Sequence, residues 1–379
     1  MALKGIKVIE MAGLAPAPFC GMILSDFGAR VIRVDKVHSG GFGDYLSRGK
    51  ESIAVDLKQP KGREIVHKLC LSADVVLEPF RAGVMEKLGL GPDKIMKENK
   101  RLIYARLTGY GQNGAMAQRA GHDINYLATS GILSCLGRKD ESPQAPINLL
   151  ADFAGGGMTC AMGIILALFE RSKSGHGQIV DCSMTEGAAY LGKWLWASRE
   201  MFIWGKERGD NVLDGGAAYY NTYKTKDNKY MAVGAIEPQF FHQLIQGLGL
   251  NTNEVNQFGD QVKLKEQFTS IFASKTQDEW TKIFENTDAC CTPILTKDEA
   301  PLHPHNKENK TFLSNSDKKW EPGPAPKLSR TPGNNKLLPN VIGGFNTVEI
   351  LKELGYTSPV IEGLIEKQTV EQCQESSKL

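Results

Sequence analysis

The chain has 379 residues, 41% of them hydrophobic and 23% charged, which is the make-up of an ordinary globular enzyme long enough for two or three domain-sized units. Its 45 basic residues are spread along the chain against 43 acidic ones, for a net charge of +2, so there is no nucleic-acid footprint and no nucleic-acid partner is expected. The longest apolar run, near residues 161–169, is too short to span a bilayer and no charged start leads into an apolar stretch, so neither secretion nor a membrane span is expected.

The run Ile6-Lys7-Val8-Ile9-Glu10, the Gly/Ala/Pro stretch 13–18, an apolar helix-like run ending at Gly28, and Val31-Ile32-Arg33-Val34 closing on Asp35 read as strand, helix, strand. Strand-like runs at 52–55, 75–77 and 102–107 alternate with helical stretches such as 62–71, which predicts an α/β fold with a parallel sheet. Gly13 has no partners at G-x-G-x-x-G spacing. Pro16 and Pro18 stand where phosphate-cradling amides would be needed, so a dinucleotide site is not expected.

After Gly155-Gly156-Gly157 the apolar run 158–169 predicts a helix, followed by the turn Gly175-His176-Gly177-Gln178, the strand Ile179-Val180-Asp181 and a helix from about 184 to 199. The character then changes. Thr222-Tyr223-Lys224-Thr225, a polar turn and Tyr230-Met231-Ala232-Val233 predict a β-hairpin, with helices ending near Gly247 and starting at Thr276, whose spacing to Glu279 is that of a capping box. The expected organisation is a large α/β domain over 1–200, a small α+β domain over 215–315, and a return linker with C-terminal helices over 316–379 packing on the large domain. Five prolines between 322 and 339 keep 320–339 extended, and helical pieces follow at 347–354 and 360–365.

Seven histidines can each be weighed. His67 and His242 sit in helical patterns and His176 in a glycine turn. His303-Pro304-His305 has no further Cys or His nearby to complete a metal site, so no metal is expected. His122 follows the glycine-rich loop 108–114 after a strand, where α/β folds place ligands, although a solvated loop histidine has the same local pattern. Asp152, just ahead of three glycines, has the pattern of an N-cap. The same helix start would let a ligand oxygen approach backbone amides, where the dipole favours a developing anion. Glu237 reads as an ordinary glutamate at the start of a helix. The eight cysteines show neither C-x-x-C spacing nor a paired framework, which predicts reduced thiols in an intracellular compartment.

The strings Ala120-Gly121-His122-Asp123-Ile124-Asn125-Tyr126, Asn148-Leu149-Leu150-Ala151-Asp152-Phe153-Ala154-Gly155-Gly156-Gly157, Leu213-Asp214-Gly215-Gly216-Ala217 and Gly234-Ala235-Ile236-Glu237-Pro238-Gln239-Phe240 resemble the α-methylacyl-CoA racemase family, and the similarity runs from Gly5 to about Arg330. That family lies within the family III CoA-transferase fold. The resemblance implies a large α/β domain, a small α+β domain and an interlocked homodimer. It implies inversion of 2-methylacyl-CoA thioesters through an enolate, in branched-chain fatty acid and bile acid intermediate metabolism, with CoA as part of the substrate and no separate cofactor. His122 and Asp152 take the paired acid and base roles, and Glu237 reaches in from the partner subunit to orient His122. The CoA positions implied are Lys36, Val55, Asp56, Leu57, Lys58, Pro79, Phe80, Arg81, Lys87 and the loop Gly121, His122, Asp123, Ile124, Asn125 and Tyr126.

Lys36 and Lys87 stand where the family often has arginine; they keep the charge but lose the bidentate fork, leaving Arg33 and Arg81 as nearby guanidinium groups. The chemistry needs a donor for the enolate oxygen, and the Asp152 amide is the candidate. Met158, Met162, Met184 and Met201 could form an adaptable acyl surface, although such spacing suits core filling equally well. The rival within the fold is a class III CoA-transferase with Asp152 as nucleophile. It needs no base on the opposite face, so His122 with Glu237 favours the racemase. A non-catalytic acyl-CoA binder would gain nothing from the pair. Ser377-Lys378-Leu379 reads as a C-terminal peroxisomal address, so an import receptor is an expected partner and the peroxisome the expected location, and the resemblance also permits a mitochondrial fraction.

Overall fold

The computed structural model describes residues 1–38, 44–314 and 319–373, so the Ser377-Lys378-Leu379 address lies outside the described residues. The chain divides into two units. The first comprises Met1–Ile132, Ile147–Gly192 and Lys310–Leu379, and the second Leu133–Pro146 and Lys193–Asn309.

The first unit is built on the strands β1 (Lys7–Met11), β2 (Arg30–Asp35), β3 (Glu51–Val55), β4 (Val75–Glu78), β5 (Ile103–Thr108) and β6 (Ile179–Ser183). They pair in parallel in the order β3-β2-β1-β4-β5-β6, and the short strand Val370–Glu371 runs antiparallel along β3. Val8, Ile9, Val31, Ile32, Val75, Val76, Ile103 and Tyr104 are buried, as expected of parallel strands covered on both faces. This is the α/β sheet that the alternating pattern predicts. Its order reverses beside β1, whose neighbours β2 and β4 are reached by crossovers in opposite directions, and the crevice at such a switch point is where open α/β sheets bind ligands.

Helix α1 (Pro16–Asp26) follows β1 with prolines at its start, so its first turn lacks the amides a phosphate needs. Gly13 is required just before it: a Cβ there would overlap the Pro79 ring in the loop after β4. Helices α2 (Pro60–Leu71), α3 (Val84–Lys87) and α4 (Pro92–Glu98) complete the first half, and α5 (Asp123–Ser130) follows the loop after β5.

The helix expected after Gly157 begins earlier. Leu149–Met158 is a π-helix that runs directly into α6 (Thr159–Ser174), and the Thr159 amide donates to the Ala154 carbonyl five residues back. The glycines are there for packing. A Cβ on Gly155 would come within 2.7 Å of the Ala188 nitrogen on α7 (Met184–Leu191), and one on Gly187 would overlap the Gly155 carbonyl. At 26 residues, Leu149–Ser174 is long and apolar enough to cross a membrane, which the run 161–169 alone does not suggest. It nevertheless carries Asp152 and the buried Arg171, and it packs Cys160, Ala161, Ile164 and Ala167 into the interior, as the core helix of an α/β unit does. Met158, Met162, Ile165, Leu166 and Phe169 remain exposed along one helical stripe.

In the second unit the predicted hairpin is Tyr220–Lys224 paired with Tyr230–Gly234, extended by Cys291–Pro293. The helices Pro238–Gly247, Gln261–Phe272 and Gln277–Phe284 bury Leu244, Phe268, Phe272 and Trp280 in one core with Tyr223 of the hairpin. The capping box at Thr276 forms, with its amide 2.7 Å from Glu279 Oε2. Two expectations are corrected. The helix expected over 184–199 breaks at Gly192 into Met184–Leu191 and Lys193–Ala197. Within the expected linker, Trp320–Pro322 pairs with Phe312–Ser314 as a two-stranded ribbon.

Candidate active site

The loops leaving β1, β4 and β5 enclose a cleft of about 390 Å³ at the sheet's switch point. Gly13, Leu14 and Pro16 come from the first loop, Pro79, Phe80 and Arg81 from the second, and Thr108, Gly109 and Tyr110 from the third, with Gly121, His122 and Tyr126 at the start of α5 and Met184 on α7. The β4 loop is held by the buried Glu78, whose Oε1 accepts from Arg106 Nε at 2.7 Å while its Oε2 accepts from the Phe80 amide at 2.7 Å. Burial pushes the Glu78 carboxyl upward against the pull of Arg106 and of that amide.

His122 is the N-cap residue of α5, in extended backbone. Its amide donates to Asn125 Oδ1 at 3.0 Å, and its carbonyl accepts the Asn125 amide at 2.8 Å. The residue is exposed, and it forms a capping box with Asn125 at the start of the helix. Tyr126, one turn on, packs edge-on against Tyr110 with ring centroids 5.0 Å apart and donates its hydroxyl to the Gly121 carbonyl. Burial and the nearby Asp152 carboxylate push its phenol up to about 12, so it stays protonated at neutral pH.

Asp152 is not the N-cap its pattern suggests. The cap position is Asn148, and Asp152 lies within the first turn of the π-helix, half-buried, with Asn148 Nδ2 3.4 Å from its Oδ2. The helix is capped instead by Asp123, whose Oδ2 accepts the amides of both Ala151 and Asp152 at 2.8 Å. Two expectations change with this. The Asp123 side chain is only 4% exposed and faces the protein rather than a CoA group, and the Asp152 amide, expected as the free oxyanion donor, is already engaged. Burial chiefly, and the Asp123 charge in addition, raise the Asp152 carboxyl from its ordinary value, while Asn148 and His122 pull it down. His122 and Asp152 thus share one electrostatic neighbourhood.

The other implied CoA positions follow the carboxyl edge of the sheet. Lys36 is exposed directly after β2, Asp56, Leu57 and Lys58 follow β3, and Lys87 is exposed at the end of α3. The Val55 side chain belongs to the core. Pro79, Phe80, Arg81, Gly121, His122 and Tyr126 line the cleft; Lys36, residues 55–58, Lys87, Ile124 and Asn125 lie outside its lining. Arg33 is buried, 2.8 Å from both Asp35 and Asp44, and cannot substitute for a missing arginine. Arg81 is exposed and donates to the Gln118 carbonyl at 3.3 Å.

In the second unit Glu237 is the exposed N-cap of Pro238–Gly247, and its side chain makes no cap bond. A separate hollow of about 570 Å³ there is lined by Leu213, Asp214, Gly215, Gly234 and Cys290, among others. The loop 108–114 lines the cleft through Thr108, Gly109 and Tyr110, as its place after a strand predicts, whereas the Asp123 cap and the contact of Asn148 with Asp152 were not anticipated from the sequence. The Asn148 to Asp152 spacing was the available signal. Among the described residues no cluster of His, Cys, Asp or Glu could hold a metal ion.

Residues 3–341 match the model of CoA-transferase family III. The chain belongs to that family. It is 52% identical over 376 residues to the α-methylacyl-CoA racemase of Mus musculus, covering 98% of each chain. It is also 52% identical, over 374 residues, to the α-methylacyl-CoA racemase of Homo sapiens, again covering 98% of each. The crystal structure of a CAIB/BAIF family protein from Brucella suis superimposes with a TM-score of 0.77, covering 93% of this chain and 99% of that one; at 23% identity this likeness concerns the fold alone.

Proposed function

We propose that this protein is a racemase that interconverts the (R) and (S) forms of 2-methylacyl-CoA thioesters by proton transfer through an enolate, within branched-chain fatty acid and bile acid intermediate metabolism. The observation that carries the reading is the electrostatic pairing of His122, exposed in the lining of the cleft, with the half-buried carboxyl of Asp152, whose proton affinity burial raises. An α-proton of a thioester is weakly acidic, so a base must lie close to one face of the carbon and an acid close to the other. His122 takes the proton in one direction while Asp152 delivers one, and the roles exchange in reverse. CoA would follow the carboxyl edge of the sheet, near Lys36, Lys58 and Arg81. No separate cofactor takes part.

The proposal includes a homodimer. The exposed stripe Met158, Met162, Ile165, Leu166 and Phe169 offers an apolar face to a second copy. Glu237, capping nothing on its own helix, is available to orient the imidazole of His122 in the partner subunit. Delivery to the peroxisome, with Ser377-Lys378-Leu379 read by its import receptor, belongs to the same proposal.

The test uses single enantiomers of a 2-methylacyl-CoA in deuterated water. Deuterium should enter at the α-carbon with inversion, in the presence of a chelator and without transfer of CoA to added carboxylates. His122→Ala and Asp152→Asn should each lower inversion by about 10²- to 10⁴-fold. Inversion by His122→Ala at the parent rate, or CoA transfer lost only with Asp152, would replace this reading with the transferase one.

A further inference from the structure

Asp123 was grouped with the CoA-contacting loop by resemblance, yet its carboxylate is buried and spends its Oδ2 on two backbone amides of another segment, those of Ala151 and Asp152. Helix starts leave their first amides without partners, and the usual remedy is the side chain of the N-cap residue. Here the N-cap, Asn148, makes no such bond; its amide points to Asp152 Oδ2 instead. The acceptor comes from α5, from the residue directly after His122. One peptide unit therefore separates the backbone that carries the imidazole from the side chain that clamps the backbone carrying Asp152. We propose that Asp123 is a positioning residue that fixes the relative placement of His122 and Asp152, so that the two proton carriers stay on either side of one carbon. This rests on the racemase reading of the site.

A second effect accompanies the geometry. The groups acting on the Asp152 carboxyl are Asp123 and His122 at the start of α5 and Asn148 on its own segment, with the Tyr126 phenol close by. Asp123 is the negative charge among them, and it opposes ionisation of Asp152. It therefore helps to keep Asp152 able to deliver a proton.

The two effects separate by substitution. Asp123→Asn keeps an oxygen that accepts both amides but removes the charge. Asp123→Ala removes both. In Asp123→Asn we expect inversion close to the parent rate at its optimum, with the limb of the pH profile that reports Asp152 displaced to lower pH. In Asp123→Ala we expect kcat for inversion to fall by about ten- to a hundredfold with KM little changed, the scale on which a misplaced catalytic group acts. Hydrogen exchange of the peptide covering 148–158 should speed up in Asp123→Ala and not in Asp123→Asn.

Parent-like kcat in Asp123→Ala, or an undisplaced limb in Asp123→Asn, would overturn the proposal. If Asp123→Ala does not fold, the pH profile and exchange of Asp123→Asn still decide. Failure of the racemase reading is separate and shows first in the parent protein, as absence of deuterium inversion.

Discussion

Lys50 Nζ lies 2.8 Å from Glu10 Oε2, and neither side chain is exposed. The ammonium also donates to Glu10 Oε1 at 2.9 Å and to the Pro18 carbonyl at 2.9 Å, so all three of its protons are used. Gly21 on α1 leaves the space, since a Cβ there would overlap the Glu10 carboxylate. Removing one partner leaves a buried charge uncompensated, which costs about 3–5 kcal/mol, whereas an apolar pair can be nearly neutral. Lys50→Met should lower the denaturation midpoint strongly, and Glu10→Leu with Lys50→Met should recover most of it. An unchanged midpoint in the single variant would contradict the pairing.

The same glutamate gives a pH signature. Burial raises its carboxyl to about 7, against the pull of Lys50. A folded-state value above the unfolded one favours the native state at low pH; that contribution is complete below the ordinary carboxylate range and is lost as pH rises through about 7. Compared with Glu10→Gln, the parent should lose stability between mildly acidic and neutral pH. Parallel stability curves for the two proteins would contradict this.

Asn148 pulls the Asp152 carboxyl down by hydrogen bonding. Asn148→Ala should move the Asp152 limb of the racemisation profile to higher pH, opposite to the displacement expected for Asp123→Asn. Measuring both variants on one substrate separates the hydrogen bond from the charge.

The close approach of Gly155 and Gly187 lets the π-helix and α7 touch through their backbones. Gly187→Ala should force them apart, costing about 1–3 kcal/mol and lowering kcat, because Asp152 rides on the displaced segment. A variant with parent-like melting and turnover would show that the two helices can separate freely.

Thiol labelling should divide the cysteines. Cys135 and Cys290 are exposed, whereas Cys20, Cys70, Cys160, Cys182 and Cys291 are buried, and burial pushes the thiols of Cys70 and Cys291 up to about 12. The exposed pair should react first in the native protein, and the buried five only on unfolding.

The strands were legible because parallel strands covered on both faces read as unbroken apolar runs, as Val75 to Leu77 do. The Thr276 capping box was legible because its partners lie three residues apart. The π-helix was not, since hydrogen bonds closing over five residues leave no distinctive apolar period, and the three glycines suggested a start where the chain is already helical. Asp152 and His122 were found as residues, but the clamp between them joins positions 28 and 29 apart in sequence through a side chain that looked like part of a binding loop. Glu10 with Lys50, and Arg33 with Asp35 and Asp44, were hidden for a related reason: a buried charge resembles a surface one until its partner is known.

The edge strand Val370–Glu371 has a consequence for how the protein is made. It closes β3, and the same return segment supplies the Thr347 hydroxyl to the Ala54 amide at 3.1 Å and the Thr369 carbonyl to the Asp56 amide at 2.9 Å. On the ribosome β3 emerges early but waits for more than three hundred residues to be added before its outer edge is covered, while residues 193–309 of the second unit are already complete. A nascent chain stalled before residue 370 would present that edge as a template for pairing with other chains, so the last-made strand guards the first-made sheet.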